Sequence, residues 1–191
     1  MGHLERKIRE KEEMKQRIID AAREIASKEG WNSVTIRKIA EIIEYTPPIV
    51  YEHFENKENL IREIIGCGFI KMHESFARLI QDEPDPKEAL KKLSIMHWDF
   101  AFQNSEIYQL MFSLERPPLT DEIMENIHAV EKLFLDLAKD EKAKRELILH
   151  WMCLMNGAVS VVMKMSHFPH HEEVEPRELY IRMINRFVDS I

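Results

Sequence analysis

Histidines, carboxylates and thiols are the side chains best suited to chemistry, and here their spacing does not assemble a reaction centre. His167, His170 and His171 stand beside Glu172 and Glu173, a set able to ligate a divalent metal. They flank Pro169 in a strongly polar stretch, which reads as a loop. Glu125-Asn126-Ile127-His128 supplies one Glu-x-x-His, where a di-iron helix bundle needs two. A His-Glu-x-x-His zinc motif and a glycine-rich phosphate loop are both absent from the sequence. Cys67 and Cys153 are too few for a disulfide framework or a four-thiolate zinc site. They read as buried thiols of a protein in the reducing cytoplasm. The expectation is a protein that is not an enzyme, with no cofactor and no metal.

Ser33 to Asn59 carries a different chemistry. Thr35 can cap a short helix with the apolar face Ile36, Ile39, Ala40 and Ile43. A break follows at Glu44-Tyr45-Thr46, where Thr46 offers a second capping oxygen. A second short helix then runs from Pro47 or Pro48 to Phe54, and Asn56 caps a long one. A residue before proline is pushed out of the helical region, so the second helix is expected to start at Pro48. Two short helices joined by three or four residues form a helix-turn-helix, whose second helix can enter a DNA major groove. Two ordinary helices of a bundle share that spacing.

The elements around this segment are helical almost throughout. Met14, Ile18, Ala22 and Ile25 recur at three and four, which is one helix face. Longer stripes run through Ile61, Ile64, Ile65, Gly68, Met72, Phe76 and Leu79, and through Ala89, Leu93, Met96 and Phe100. Ile123, Ile127, Val130, Phe134 and Leu137 make another, and Leu179, Met183 and Phe187 close the chain. Only 5 of 191 residues are glycine, too few for the turns of a sandwich or barrel. The fold class is therefore all-α: an N-terminal three-helix module over residues 1–57, then a larger helical body over 58–191. Leu147 to Met165 has 14 apolar residues of 19, but His150, Asn156 and Lys164 interrupt it. That argues against a membrane span and for a helix buried on more than one side. The charged N-terminus has no signal-peptide core.

Ile18-Ile19-Asp20-Ala21-Ala22, Gly30-Trp31, Val34-Thr35-Ile36-Arg37-Lys38-Ile39-Ala40 and Tyr51-Glu52-His53-Phe54-Glu55-Asn56-Lys57-Glu58-Asn59-Leu60 occur in this order. Together they resemble the DNA-binding domain of the TetR family of transcriptional regulators, over Met14 to Ile65. Weaker echoes of a C-terminal subtype lie in Phe102 to Phe112 and in Asn156-Gly157-Ala158, where Asn156 stands in place of a common histidine. The resemblance implies a cytoplasmic homodimer that presents its second helices to the two halves of a double-stranded DNA operator. It implies that Thr35, Arg37, Thr46, Tyr51 and Lys57 touch phosphates, and that Pro47, Pro48, Ile49, Glu52 and His53 face bases or line the groove. Tyr51 and His53 have a competing role, packing on Phe54 and the first helix. The resemblance also implies a repressor whose C-terminal body holds a small-molecule effector.

The sequence departs from the family at the turn. Glu44 replaces a glycine that often takes a left-handed conformation, and Pro47 replaces a common basic residue. From Trp31 to Leu60, Arg37, Lys38 and Lys57 face Glu41, Glu44, Glu52, Glu55 and Glu58. Residues 1–17 carry six basic groups against four acidic ones, and can serve as a DNA-contacting arm or as a solvated helix face. A second reading therefore stays open: a helical ligand-binding or protein-interaction dimer that has lost effective DNA binding.

In the body, methionines and aromatics can line an adaptable apolar cavity or fill an ordinary core. With the resemblance, the expected wall is Met72, Phe76, Met96, Phe100, Tyr108, Met111, Phe112, Trp151, Met155 and Asn156. It contains no Lys, Arg, Asp or Glu, so the effector should be largely apolar. Asn156 is expected to be a buried amide in need of a partner. Small residues Gly157, Ala158 and Ser160 allow close helix approach, and the same helix, with Met183 and Phe187 of the last one, should form a four-helix seam across the dimer.

Overall fold

The structure is a computed structural model that describes residues 2–113, 118, 128–164 and 175–191. Among the described residues all regular structure is helical. The His167–His171 cluster and most of Glu125–His128 lie outside them, and no metal-holding cluster occurs among the rest. The backbone divides into two compact units. One comprises Met1–Gly68 with Ser105–Pro117, the other Phe69–Asn104 with Pro118–Ile191.

The first unit begins with α1, His3–Glu29. Its stripe Ile18, Ile19, Ala22, Ile25 and Ala26 is buried. Gly30, at φ +80°, ends the helix and donates its N–H to Ala26 O at 2.8 Å, a turn that a Cβ would strain. A 3-10 turn, Trp31–Ser33, leads to α2, Ile36–Ile42. Thr35 caps α2 by accepting the Lys38 N–H at 3.2 Å. After the turn come α3, Pro47–Tyr51, and α4, Lys57–Asp82. Asn56 caps α4 through the Asn59 N–H at 2.8 Å. Val34, Ile39, Val50 and Leu60, each fully buried, join these helices in one core.

A further helix, α6 (Ser105–Met111), belongs to this unit although it lies 46 residues beyond Asn59 in the sequence. Trp31 Nε1 donates to Glu106 O at 2.7 Å, and the Arg23 guanidinium pairs with the Glu106 carboxylate at 3.0 Å. Gly68 lets α6 close on α4. A Cβ there would sit 2.7 Å from Met111 Sδ and 3.0 Å from Ile107 Cγ2.

The second unit is built on α5, Pro86–Gln103, capped by Asp85 through the N–H groups of Lys87 and Glu88. It is joined by α7 (His128–Leu137), α8 (Glu141–Lys164) and α9 (Pro176–Asp189). Ser94, fully buried on α5, is the polar joint. Its Oγ accepts from Trp151 Nε1 at 2.8 Å and donates to Leu90 O at 2.7 Å, while its carbonyl accepts from the Tyr180 hydroxyl at 2.8 Å. Three helices thus share one satisfied node, which favours a single packing. Around it Trp98 lies against Phe102 and Tyr180, and Phe134 against Trp151.

Two expectations, on the cysteines and on Asn156, are corrected by this packing. Within the chain, helix α8 packs on one side. It buries Trp151, Met155 and Val159, one stripe at i, i+4 and i+8, and exposes Leu149, Met152 and Val161. By length and composition it could cross a bilayer. Cys67 and Cys153 are exposed, because each falls beside its helix's core stripe rather than on it. Asn156 is half-buried, and its amide donates to Met152 O of its own helix at 3.0 Å.

Candidate nucleic-acid interface

The exposed surface of α2, α3 and their turn is set by what lies beneath it. Helix α3 buries only Val50. At about 100° per residue this turns Pro48 and Glu52 outward, with Ile49 and Tyr51 on either flank. Pro47, Pro48, Tyr51 and Glu52 are exposed, and Ile49 and His53 half-buried. Tyr51 is 54% exposed, so it does not pack in the core.

The helix starts at Pro47, a residue earlier than the proline rule suggested. Thr46 is extended, at φ −94° and ψ 152°, as a residue before proline prefers. Pro47 and Pro48 then occupy the first turn, where missing N–H groups forfeit no intrahelical bond. The Thr46 side chain makes no capping bond. A cap accepts from the second or third helical residue, but Pro48 has no N–H and Ile49 N–H goes to the Thr46 carbonyl at 3.0 Å.

Glu44 takes the left-handed conformation, φ +61°, as expected of the position that glycine often fills. The strain, about 1–2 kcal/mol, is held by the Tyr45 N–H bond to Ala40 O at 2.9 Å. Arg17 braces the same turn. It donates to Ile43 O at 2.9 Å and lies 5.3 Å from the centre of the Tyr45 ring. In the sequence Arg17 is one of the N-terminal charges and Tyr45 a turn residue; the Arg17–Ile43 contact spans 26 residues and leaves no local signal.

The cations around this surface are engaged. Arg37, highly exposed, pairs with Glu41 at 3.1 Å. Lys57 donates to Trp31 O at 3.0 Å. Lys38 pairs with Glu29, and Lys15 with Glu63 at 2.6 Å, which raises the Lys15 pKa. In this unit Lys7, Lys11, Arg17, Lys57 and Arg62 have no ion pair among the described residues. Lys7 and Lys11 lie on the solvent-exposed start of α1, where Leu4 and Ile8 are exposed too. The N-terminal stretch is thus helical from His3.

The ten residues expected to line a ligand site fall into both units. Tyr108, Met111 and Phe112 lie in the first. There Met111 is fully buried against Gly68, and the Tyr108 and Phe112 rings lie tilted against each other with centroids 4.5 Å apart. Met72, Phe76, Met96, Phe100, Trp151, Met155 and Asn156 lie in the second. Met96 lines a groove of about 390 Å³ with Ser75, Arg78, Leu79, Glu83 and Lys92. A groove of similar volume runs between α8 and α9 past Trp98, Gly157, Val161, Leu179 and Met183. Two buried histidines of this unit had drawn no attention in the sequence. His73 lies between Phe69 and Phe76, and its Nδ1 is buried without a hydrogen bond among the described residues. His97 is 1% exposed, and burial pushes its pKa down to about 4. Desolvation lowers the His73 pKa as well.

Residues 18–64 match the family model described as bacterial regulatory proteins, tetR family. The chain is 25% identical over 112 residues to the transcriptional repressor NicS of Pseudomonas putida, covering 59% of this chain and 50% of NicS. It thus spans about half the length of that relative. It is 26% identical over 149 residues to the transcriptional repressor BepR of Brucella suis, covering 73% and 71% of the two chains. Among solved structures, it resembles FadR of Bacillus subtilis, crystallised with stearoyl-CoA, at TM-score 0.74 and 16% identity over 92% of this chain and 98% of that one. A TetR variant from Acinetobacter baumannii with minocycline matches at TM-score 0.69 and 17% identity over 91% and 93%. These likenesses share the all-helical fold, and the matched segment contains α2, α3 and the turn between them: residues 18–64 form a DNA-binding domain of the tetR family of bacterial regulatory proteins.

Proposed function

We propose that the protein is a cytoplasmic, ligand-responsive transcriptional repressor that binds a palindromic operator as a homodimer. The observation that carries the reading is the exposed face of α3. A five-residue helix held by one buried side chain, Val50, shows all its other residues at least in part. Such a helix adds little to a core and is suited to a groove. Thr35, Arg37, Thr46, Tyr51 and Lys57 are proposed for the phosphates, and Pro47, Pro48, Ile49, Glu52 and His53 for the groove.

Dimerisation gives α8 its second neighbour. Leu149, Met152 and Val161 are exposed large apolar side chains on that helix, and Leu179 is another on α9. A second copy of the same face would cover them, with Met183 and Phe187 in the seam. His150, Asn156 and Lys164 on the same helix suit a protein interface better than a bilayer. The effector is proposed to be largely apolar and to enter the second unit near Met72, Phe76, Met96, Phe100, Trp151, Met155 and Asn156. A thermal-shift screen followed by footprinting of the DNA upstream of the protein's own gene tests the whole reading. Stabilisation only by highly charged metabolites would refute the effector class.

The second reading, a dimer without effective DNA binding, is favoured by one observation. Residues 44–56 carry Glu44, Glu52 and Glu55 and no Lys or Arg, whereas non-specific DNA affinity comes chiefly from cations on phosphates.

A further inference from the structure

We infer that α3 reads pyrimidines: thymine through its C5 methyl group and cytosine through its exocyclic amine, with no guanine contact. This rests on the DNA-binding reading above and concerns which bases that surface recognises.

The outward face of α3 is centred on Pro48 and Glu52, opposite the buried Val50, and flanked by Ile49 and Tyr51. Guanine presents two acceptors, N7 and O6, in the major groove and is read chiefly by Arg or Lys. Neither occurs from residue 44 to 56. The nearby cations lie on other elements: Arg17 is held by Ile43 O and the Tyr45 ring, and Arg37 and Lys57, which contact Glu41 and Trp31 O, are the ones proposed above for phosphates. The start of α3 cannot substitute for them, because Pro47 and Pro48 have no N–H to offer. What the centre of the face presents is apolar surface and one acceptor, with the Tyr51 hydroxyl, proposed above for a phosphate, and the half-buried His53 at its margin. Pro48 and Ile49 suit a thymine methyl. The ionised Glu52 carboxylate only accepts hydrogen bonds, so it suits the cytosine N4 amine and is repelled by the N7 and O6 lone pairs of guanine. Adenine offers an amine too, but places its N7 acceptor beside it. The same carboxylate that weakens general DNA affinity therefore contributes selectivity.

The test starts from duplexes selected at random by the full-length protein at low salt. In the recovered site each dT is replaced by dU, which removes only the methyl group, and affinity is read by fluorescence anisotropy. One or two positions per half-site should weaken binding about fourfold each, the worth of one buried methyl, while the other positions stay unchanged. Glu52→Gln, which can bond adenine N6 and N7 together, should move the preferred pair at its position from C·G to A·T. Thermal unfolding of the variant checks that it folds. Uracil without effect at every position, or interference by guanine N7 methylation on the strand facing α3, would overturn the inference and leave DNA binding intact. Failure to recover any site would overturn the DNA-binding reading itself, and this inference with it.

Discussion

Acidification tests how the second unit buries His97. The side chain is 1% exposed on α5, and desolvation lowers its pKa to about 4, against about 6.5 in the unfolded chain. Between those two values the unfolded state binds the proton and the folded state does not. Stability must therefore fall as pH drops through 6.5, and keep falling until the folded pKa near 4 is reached. At pH 5 the deficit relative to neutral pH is about 2 kcal/mol from this residue alone. His97→Leu removes the linkage, so the difference in unfolding free energy between wild type and variant should shift by that amount between pH 7.5 and pH 5. Carboxylates and His73 titrate equally in both proteins and cancel. Urea unfolding followed by tryptophan fluorescence measures it. A Trp31→Phe background confines the signal to Trp98 and Trp151, both in the second unit. Parallel pH curves for the two proteins would refute the reasoning.

Glu44→Gly should stabilise the first unit, since relief of the φ +61° strain outweighs the added chain entropy by about 0.5–1 kcal/mol; a lowered unfolding temperature would contradict this. Gly68→Ala drives a methyl group to 2.7 Å from Met111 Sδ and should destabilise by about 1–3 kcal/mol. Met111→Ala should recover part of that loss in a double mutant, measured by urea unfolding. Val161→Asp puts a carboxylate on the exposed face of α8, so the chain should still fold. Sedimentation should then report one 22.7 kDa chain where the wild type shows two. An unchanged dimer would place the interface elsewhere.

Local rules revealed much of this molecule. Thr35 and Asn56 cap the helices they were expected to cap, because a cap is decided within three residues. Glu44 is left-handed at the turn position where glycine is common. The proline rule missed the start of α3 by one residue because the steric bias against a helical residue before proline is a preference, not a bar. Long-range geometry was not legible. Arg17 reaches Ile43, Glu106 reaches Trp31 and Arg23, and Ser94 receives Trp151 from 57 residues away. None of these pairs has a periodicity that announces it. Composition reports that α8 is apolar on several sides, but not whether its own chain or a second copy covers them. The two buried histidines were passed over because a histidine on a core face looks in sequence like one on a surface.

Selection of DNA by the folded, ligand-free protein from a pool of random duplexes at low salt tests the proposed repressor most directly. The expected result is enrichment of one palindromic site, with half-sites about one helical turn of DNA apart and one dimer bound per duplex. A dimer that folds, unfolds cooperatively and enriches no sequence, with or without a stabilising apolar ligand, would contradict it.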